Sequence, residues 1–577
     1  MITEIYIDYK MVFAKEEPLT ISDYLKNIER NHLISIAIRL IYSHNKFCGF
    51  KDYCENFFCE GNLDFANTCF RSLQNHLQEY DKEITNLLPR SYIIISRSTA
   101  LELLRQTFAI KACDFVENIS QEIQEQSLFK AILLINQMLS QWQVPVEYDS
   151  NGNETKLYIA KAFLCTTLDY YENTILKDEY LAMIQIIKGY HFFNYCENSK
   201  LKKHLAIFLE NNGTKNWQQY LYNAIRLILR PLQNNVDNFP IIRLLPHREG
   251  EKFLQTHSFK EDNVIALADN KDYTFFKTYP LIEMKNGSYL PINATFCINR
   301  LYRSVYFEFR AINDTLMDTP DYLKGQGLLR IVTTEFLEQE LFVKYVRNTL
   351  YGHGGIKLSE NDCKQIQELG HEPDFYFRDG NNIILFENKD IKISDKAISS
   401  KDYAILEDEI QKKLVEKGIK QLIYNIKQID NKTFKWDLNI PNNPKIYPIL
   451  VIDDSSLCVP GLNYILNEEF KKQLKENRIS INVYPLVIVE LDTLIAFENY
   501  FQSKNVKFRK ILDNYYDYIS KCKKPQKIEQ IAEEVFHKYF PFYIFMSKMV
   551  VKNPFNNNIY KNVCEELQEK IDSNTTD

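Results

Sequence analysis

Glycine is scarce in this chain, with only 16 residues among 577. No GxGxxG, GxxxxGKS or GxxxxGKT sequence occurs, so the glycine-rich loops that cradle nucleotide phosphates are missing. The chain is therefore not expected to hydrolyse a nucleoside triphosphate through those motifs. Any energy-driven movement along a substrate would need another subunit.

Long apolar runs and paired cysteines are also missing. No run of about eighteen apolar residues occurs, and the start Met1-Ile2-Thr3-Glu4 has no basic head, so neither a membrane span nor a signal peptide is predicted. The 12 cysteines include no CxxC pair, and no histidine falls at a partnering interval, which argues against a zinc site. We expect a cytoplasmic protein with buried free thiols.

An excess of positive charge is absent as well, because the formal net charge is −6. No overall field draws a polyanion toward the protein, so any contact with nucleic acid must come from local basic patches. Hydrophobic residues at 45% and charged residues at 25% are ordinary globular values. The length allows several domains with ample cores.

The patterning of the chain predicts an α+β multidomain protein in four parts. Residues 1–234 carry helical spacing of apolar residues, and 235–320 form a small α+β module with a hairpin around Lys285-Asn286-Gly287. Residues 321–500 contain the most informative motif of the chain. Residues 501–577 return to helical patterns.

That motif reads EPDFYFRDGNNIILFENK and runs from Glu372 to Lys389. Its centre is a strong turn sequence between two strand-forming runs, which predicts a β-hairpin. If the turn is centred between Gly380 and Asn381, Asp374 lies opposite Glu387. Side chains alternate along a strand, so Glu387 and Lys389 share one face. Three charged groups are thereby predicted to meet at one corner of a sheet.

Their chemistry is complementary. Two neighbouring carboxylates supply the hard oxygen ligands that Mg²⁺ or Mn²⁺ prefers, and they would repel each other by about 4 kcal/mol without a cation. Lys389 would orient a water molecule and stabilise charge on a phosphoryl group. Asp374 and Glu387 are therefore the predicted metal ligands, and cleavage of a phosphodiester bond is the predicted chemistry.

A solvated strand face is the competing interpretation, since a Glu and a Lys two residues apart are common there. The run Ile383-Ile384-Leu385-Phe386 does not alternate, however, which indicates a strand covered on both faces. That favours a functional role for the charges.

These residues resemble the PD-(D/E)XK, or restriction-endonuclease-like, nuclease superfamily. Asp374 matches its first Asp, and Glu387 and Lys389 match its (D/E)XK. The resemblance implies an α/β domain with a central mixed sheet and a Mg²⁺- or Mn²⁺-dependent nuclease acting on DNA. It also suggests bacterial restriction or anti-phage defence.

Downstream segments agree with the resemblance. Lys417 to Tyr424 is similar to the helix that follows the motif strands, with Gln421 and Tyr424 as second-shell or backbone-contact candidates. Lys445 to Asp453 and Tyr484 to Leu491 are predicted to be the next core strands. Asp453 would either add a ligand or begin a turn.

The family usually has a further acidic residue on a preceding helix. Thr334 to Leu350 is the predicted helix, and it offers Glu335, Glu338 and Glu340. Helical spacing brings Glu335 nearest the apolar face, while Glu338 better matches the family pattern and is our choice. Glu372 is expected to be a turn residue or a second-shell helper.

Two other functions stay open. One is a catalytically silent nuclease-like protein that binds nucleic acid or a partner, and the other is a regulatory helical subunit of a larger complex. A second copy of the chain or a partner subunit is possible in either case. Lysines also flank the stretch Tyr515-Tyr516-Asp517-Tyr518, but inward-packing tyrosines are expected there rather than a nucleic-acid surface.

Overall fold

The structure, a computed structural model, describes residues 3–43, 46–83, 90–145, 147, 156–169, 178–232, 240–243, 250–265, 273–453, 457, 459–503, 505–521, 539–550 and 562–569. The chain divides into two compact units. The first contains Met1–Trp142, Asp169–Tyr171 and Phe208–Val305, and the second contains Gln143–Leu168, Glu172–Ile207 and Tyr306–Asp577.

This division differs from the four predicted parts. The predicted boundary at residues 234–235 lies outside the described residues, and the segments on its two sides belong to the same unit. The predicted small module shares a core with the N-terminal helices: the rings of Phe108 and Phe259 are 5.2 Å apart, and the Ile265 N–H donates to the Phe108 carbonyl at 2.9 Å. Its three short strands are too few to bury a core of their own.

The first unit is mainly helical, as predicted for the N-terminal half. Phe129 lies at its centre, where its ring contacts those of Phe50, Tyr53 and Phe58. The helices are Tyr9–Val12, Ile21–Leu25, Arg30–Ser43, Phe50–Phe57, Leu63–Glu83, Arg97–Ala109, Gln121–Leu139, Trp217–Leu232, Glu251–Thr256, Thr274–Thr278 and Ala294–Ile298, with Lys202–Asn211 shared between the units.

Two small sheets complete this unit. Strands β1 (Thr3–Tyr6) and β2 (Arg90–Ile93) pair in parallel, a pairing that was not predicted. Strands β3 (Ser258–Lys260), β4 (Leu281–Glu283) and β5 (Tyr289–Pro291) lie in that order. The predicted hairpin is confirmed, because β4 and β5 are antiparallel around Gly287.

A six-stranded mixed sheet forms the centre of the second unit, which confirms the predicted α+β class. Its strands are β6 (Ile356–Ser359), β7 (Phe375–Asp379), β8 (Asn382–Lys389), β9 (Lys445–Ile452), β10 (Asn482–Val483) and β11 (Val487–Glu490). The order is β10-β9-β8-β7-β6, and β11 also pairs with β9. The β6–β7 and β7–β8 pairs are antiparallel, whereas β9 is parallel to β8, β10 and β11.

The predicted hairpin register is confirmed. Phe375 pairs with Phe386 and Asp379 with Asn382, so the turn is centred between Gly380 and Asn381. Gly380 has a φ of +59°, which a residue without Cβ adopts at little cost. Residues 383–388 of β8 are all buried, because the strand has neighbours on both edges and is covered on both faces.

Helices surround this sheet, and their bounds are Lys156–Asp169, Asp178–Glu197, Val305–Thr315, Gly327–Arg330, Ile331–Phe342, Val343–Thr349, Glu360–Ile366, Asp395–Ser400, Tyr403–Ile410, Gln411–Ile419, Lys420–Asp430, Pro460–Glu476, Leu491–Ala496, Glu498–Phe501, Phe508–Ser520, Phe542–Met549 and 562–569. Two segments, Ile331–Phe342 and Gln411–Ile419, are π-helical. Such wide turns are often found at functional sites. None of the helices in the described ranges is long and apolar enough to cross a membrane.

The tyrosine-rich stretch packs inward, as expected. Tyr515 and Tyr516 are buried, and their hydroxyls donate to the carbonyls of Phe540 at 2.6 Å and Pro485 at 2.9 Å. These two rings are therefore part of the core and are not available to stack on a nucleic-acid base.

A buried charge cluster joins the helix Asp178–Glu197 to the carboxyl ends of β9 and β11. The Lys188 ammonium lies 2.6 Å from a carboxylate oxygen of Asp453 and 2.6 Å from one of Asp492. Asp453 is thus an ion-pair partner of Lys188. Burial opposes the charge on Lys188, but the two carboxylates outweigh it and raise its pKa.

We expect Lys188→Ala to destabilise the second unit by about 3 kcal/mol, because it leaves two aspartates beside a cavity without their cation. Hydrogen exchange should become faster along the helix Asp178–Glu197, and the urea midpoint should fall. Lys203→Ala, at an exposed position, is the matched control and should change neither. Hydrogen exchange at the wild-type rate in Lys188→Ala would contradict a stabilising role for this charge cluster.

Candidate active site

The three motif residues meet where the β7–β8 hairpin opens. Asp374 immediately precedes β7, and the hairpin register, continued by one residue, places it opposite Glu387. Asp374 is 5% exposed and Glu387 is fully buried. Lys389 is the last residue of β8. The predicted convergence of three charged side chains is therefore present.

Short contacts hold this group together. The Asn388 N–H donates to Asp374 Oδ2 at 2.6 Å. The Lys389 ammonium lies 2.5 Å from Glu387 Oε1 and 3.5 Å from Asp374 Oδ2. Lys389 is thus the counter-ion of both carboxylates.

Glu387 is the most constrained of these carboxyl groups. Its Oε2 accepts no hydrogen bond from the described residues, and an unpartnered buried acceptor is costly. Burial and the neighbouring Asp374 charge raise the pKa of Glu387 well above its usual value. Burial also raises the pKa of Asp374, although Lys389 and the Asn388 N–H oppose that shift. Both groups hold protons more tightly than exposed carboxyls do.

The pKa of Lys389 is also raised, but for an amine this shift favours the charged form. Burial alone would favour its neutral form, but the charges of Glu387 and Asp374 outweigh this and raise its pKa. The ammonium therefore stays charged at neutral pH. Such a group can donate hydrogen bonds and neutralise charge, but it cannot serve as a general base.

Of the three helix glutamates, Glu338 is the one beside the motif. Burial, followed by the charges of Asp374 and Glu360, raises the pKa of Glu338 to about 8. Glu335 instead accepts a hydrogen bond from the Tyr195 hydroxyl at 3.3 Å, and Glu340 is exposed. The π-helical segment carries Glu338 in this position, and the Val343 N–H bonds to the Glu338 carbonyl five residues earlier.

Glu360 is a neighbour that the sequence analysis missed. It begins the helix Glu360–Ile366, its N–H donates to the Asp374 carbonyl at 3.1 Å, and its negative charge adds to burial and to the Asp374 charge in raising the pKa of Glu338. The signal for it was the capping box of Ser359 and Asp362, which marks a helix start. The proximity to Asp374 depends on the β6–β7 pairing, which no local pattern revealed.

Gln421 and Glu372 fix the loop before β7. The Gln421 amide donates to the Glu372 carbonyl at 3.0 Å, which makes Gln421 a backbone contact. The Glu372 carboxylate accepts the N–H groups of Leu369 at 2.5 Å and Gly370 at 3.0 Å. Glu372 is therefore a turn residue, one of the two roles expected for it.

A cleft of about 520 Å³ leads to Lys389. It is lined by His371, Lys389, Glu416, Lys417, Lys420, Gln421 and Tyr424. Gly418 lets its helix approach the sheet closely, since a Cβ at that position would lie 2.9 Å from a methyl group of Leu450. Lys389 is neutralised by Glu387 and Asp374, and Lys420 lies 3.8 Å from Glu416, so the exposed Lys417 gives the outer part of the cleft a positive charge that suits a phosphate.

The donor atoms fit a hard divalent cation. Asp374 and Glu387 offer carboxylate oxygens, one of them an unpartnered buried oxygen, and Mg²⁺ is commonly held by one or two carboxylates with water and substrate phosphates. No three His, Cys, Asp or Glu side chains within the described ranges converge in a ligand geometry. The Lys389 ammonium contacts both carboxylates, so a cation would have to displace it.

No protein-family model, curated protein or solved structure matches this chain.

Stability without metal should fall as pH rises from about 5 to 8, because folded Glu338 holds a proton that the unfolded chain has released in that range. Glu338→Gln removes the Glu338 share of this dependence and leaves the shares of Glu387 and Asp374, so the decline should be shallower. The variant should have a higher melting temperature than wild type, by more at pH 8.5 than at pH 6. Thermal unfolding of both proteins in EDTA at pH 6 and pH 8.5 measures the difference in melting temperature. Glu340→Gln, on the same helix but exposed, should behave as wild type, and an identical decline in Glu338→Gln would contradict the assignment.

Proposed function

We propose that this protein is a metal-dependent nuclease of the PD-(D/E)XK type that hydrolyses phosphodiester bonds of DNA. The supporting observation is the meeting of Asp374, Glu387, Lys389 and Glu338 at one corner of a mixed sheet. Their hairpin, their burial and the following helix with Gln421 suit a restriction-endonuclease-like domain. A role in bacterial restriction or anti-phage defence rests on the resemblance alone.

Asp374 and Glu387 would hold Mg²⁺ or Mn²⁺, which would stabilise charge on the phosphoryl oxygens. Lys389, released from its contacts with these carboxylates, would donate to the scissile phosphate or orient the attacking water. Glu338, with its pKa near 8, would hold a proton at neutral pH and become an additional oxygen ligand when ionised.

A catalytically silent nucleic-acid-binding protein is the second candidate. It is favoured by the absence of a three-ligand group in the described ranges and by the contact of Lys389 with both carboxylates. An ammonium in that position neutralises the carboxylates without any metal. The presence of all four residues at the site argues for catalysis, because each has a role in it.

Purified protein should cleave DNA with Mg²⁺ or Mn²⁺ and lose cleavage in EDTA. Asp374→Ala removes a ligand and Lys389→Ala removes the charge that faces the phosphate, so each should lower the rate by about 100-fold or more. Products from circular and linear DNA, and from RNA, are read on gels. Glu340→Gln is the matched control and should keep wild-type activity.

Cleavage that survives both substitutions, or that proceeds in EDTA, would exclude this site. Binding of DNA without cleavage under either metal would support the silent alternative. Circular dichroism of each variant separates loss of chemistry from loss of fold.

A further inference from the structure

Two aromatic rings form a small platform in the cleft. The ring centroids of His371 and Tyr424 are 4.8 Å apart, with the planes inclined by 52°. His371 is exposed, and Tyr424 is 36% exposed. Both side chains line the same cleft as Lys389. We call these two rings the ring pair.

The ring pair is held in place by the backbone around it. His371 precedes Glu372, whose carboxylate binds the Leu369 and Gly370 N–H groups and whose carbonyl accepts the Gln421 amide. Gln421 is on the same helix as Tyr424, so this hydrogen bond ties the His371 loop to the Tyr424 helix. A rigid aromatic surface loses little entropy when a ligand stacks on it.

Cationic side chains lie next to the ring pair. Lys417 lies in the last turn of the π-helical segment, Lys420, Gln421 and Tyr424 lie on the α-helix that follows it, and all four side chains line the cleft. Lys417 and Lys420 are exposed and line the cleft with Lys389. Exposed ammonium groups and an exposed aromatic ring therefore line the cleft together, with Lys420 3.8 Å from the Glu416 carboxylate.

This combination distinguishes unpaired nucleotides from a duplex. A base inside a duplex already stacks on both faces and exposes only its edges in the grooves, so it gains nothing from a flat ring. An unpaired base has a free face, and stacking on an aromatic side chain together with backbone phosphate contacts is how single strands are bound.

We propose that the cleft takes a single-stranded segment or an unpaired end, with a base stacked on Tyr424 against His371 and phosphates on Lys417 and Lys420. This inference rests on the proposed nuclease function, and it names the strand state of the substrate. Stacking does not depend on the sugar, so the platform accepts unpaired nucleotides of DNA or RNA.

The test uses fluorescence anisotropy with labelled 12-nucleotide DNA, the same sequence as a blunt duplex, and the same sequence as RNA. The full chain is used in EDTA at one salt concentration, so that no cleavage occurs. Wild type should bind single-stranded DNA about tenfold or more tightly than the duplex. Tyr424→Ala should weaken single-strand binding about tenfold and leave duplex binding unchanged.

Three further variants sharpen the result. Tyr424→Phe keeps the ring and should bind as wild type, while Lys420→Ala should weaken single strands and duplex alike and lower the salt slope by about one. Tyr351→Ala, an exposed tyrosine outside the cleft lining, should have no effect. A loss of RNA affinity in Tyr424→Ala would also support stacking on the ring pair.

Equal affinity for single strand and duplex, or an equal effect of Tyr424→Ala on both, overturns the inference. Cleavage assays with Mg²⁺ separate the two proposals. Suppose that wild type and Tyr424→Ala cleave duplex DNA at the same rate and that neither prefers single strands. The nuclease proposal is then supported, and the proposed role of the ring pair is wrong. If Tyr424→Ala weakens single-strand binding but neither Mg²⁺ nor Mn²⁺ supports cleavage, the role of the ring pair is supported and the nuclease proposal is wrong.

Discussion

The contact of Lys389 with Glu387 and Asp374 is the interaction on which the rest of the site depends. A fully buried carboxylate opposite a second one is unfavourable in a sheet, and the Lys389 ammonium is the cation that compensates it. The raised pKa values of both carboxyl groups show that compensation is incomplete. Carboxyl groups whose pKa values are shifted by burial beside a specific charge partner are typical of a functional site.

The fold packs helices against the corner of the sheet where Asp374, Glu387 and Lys389 meet. Strand β8 is covered on both faces, so its charged end is enclosed by protein. On one side a π-helical segment carries Glu338, and on another Gly418 allows close approach of the helix that carries Lys420 and Tyr424. Enclosure of charges raises their interaction energies, while the open cleft leaves a path for a phosphate to reach Lys389.

The parts of this site that follow from local sequence could be predicted. The turn at Gly380 sets the hairpin register, and the unbroken run Ile383 to Phe386 predicted a strand covered on both faces. The choice of Glu338 over Glu335 agreed with the family pattern and not with helical spacing, because spacing assumes an α-helix and this segment is π-helical.

Other features needed tertiary information. Glu360 reaches the site through the β6–β7 pairing, and His371 meets Tyr424 through a loop fixed by Glu372. Residues 143–168 and 172–207 of the predicted helical half belong to the second unit, an assignment that depends on tertiary packing.

Calorimetric titration with Mn²⁺ at pH 6 and pH 8 tests the central claim most directly. If Asp374 and Glu387 are metal ligands, their raised pKa values make protons compete with the ion, and affinity should rise with pH. Glu387→Gln should abolish the binding, and Glu340→Gln should not. Binding that is independent of pH and unchanged in Glu387→Gln, or no binding at millimolar Mn²⁺, would contradict the account.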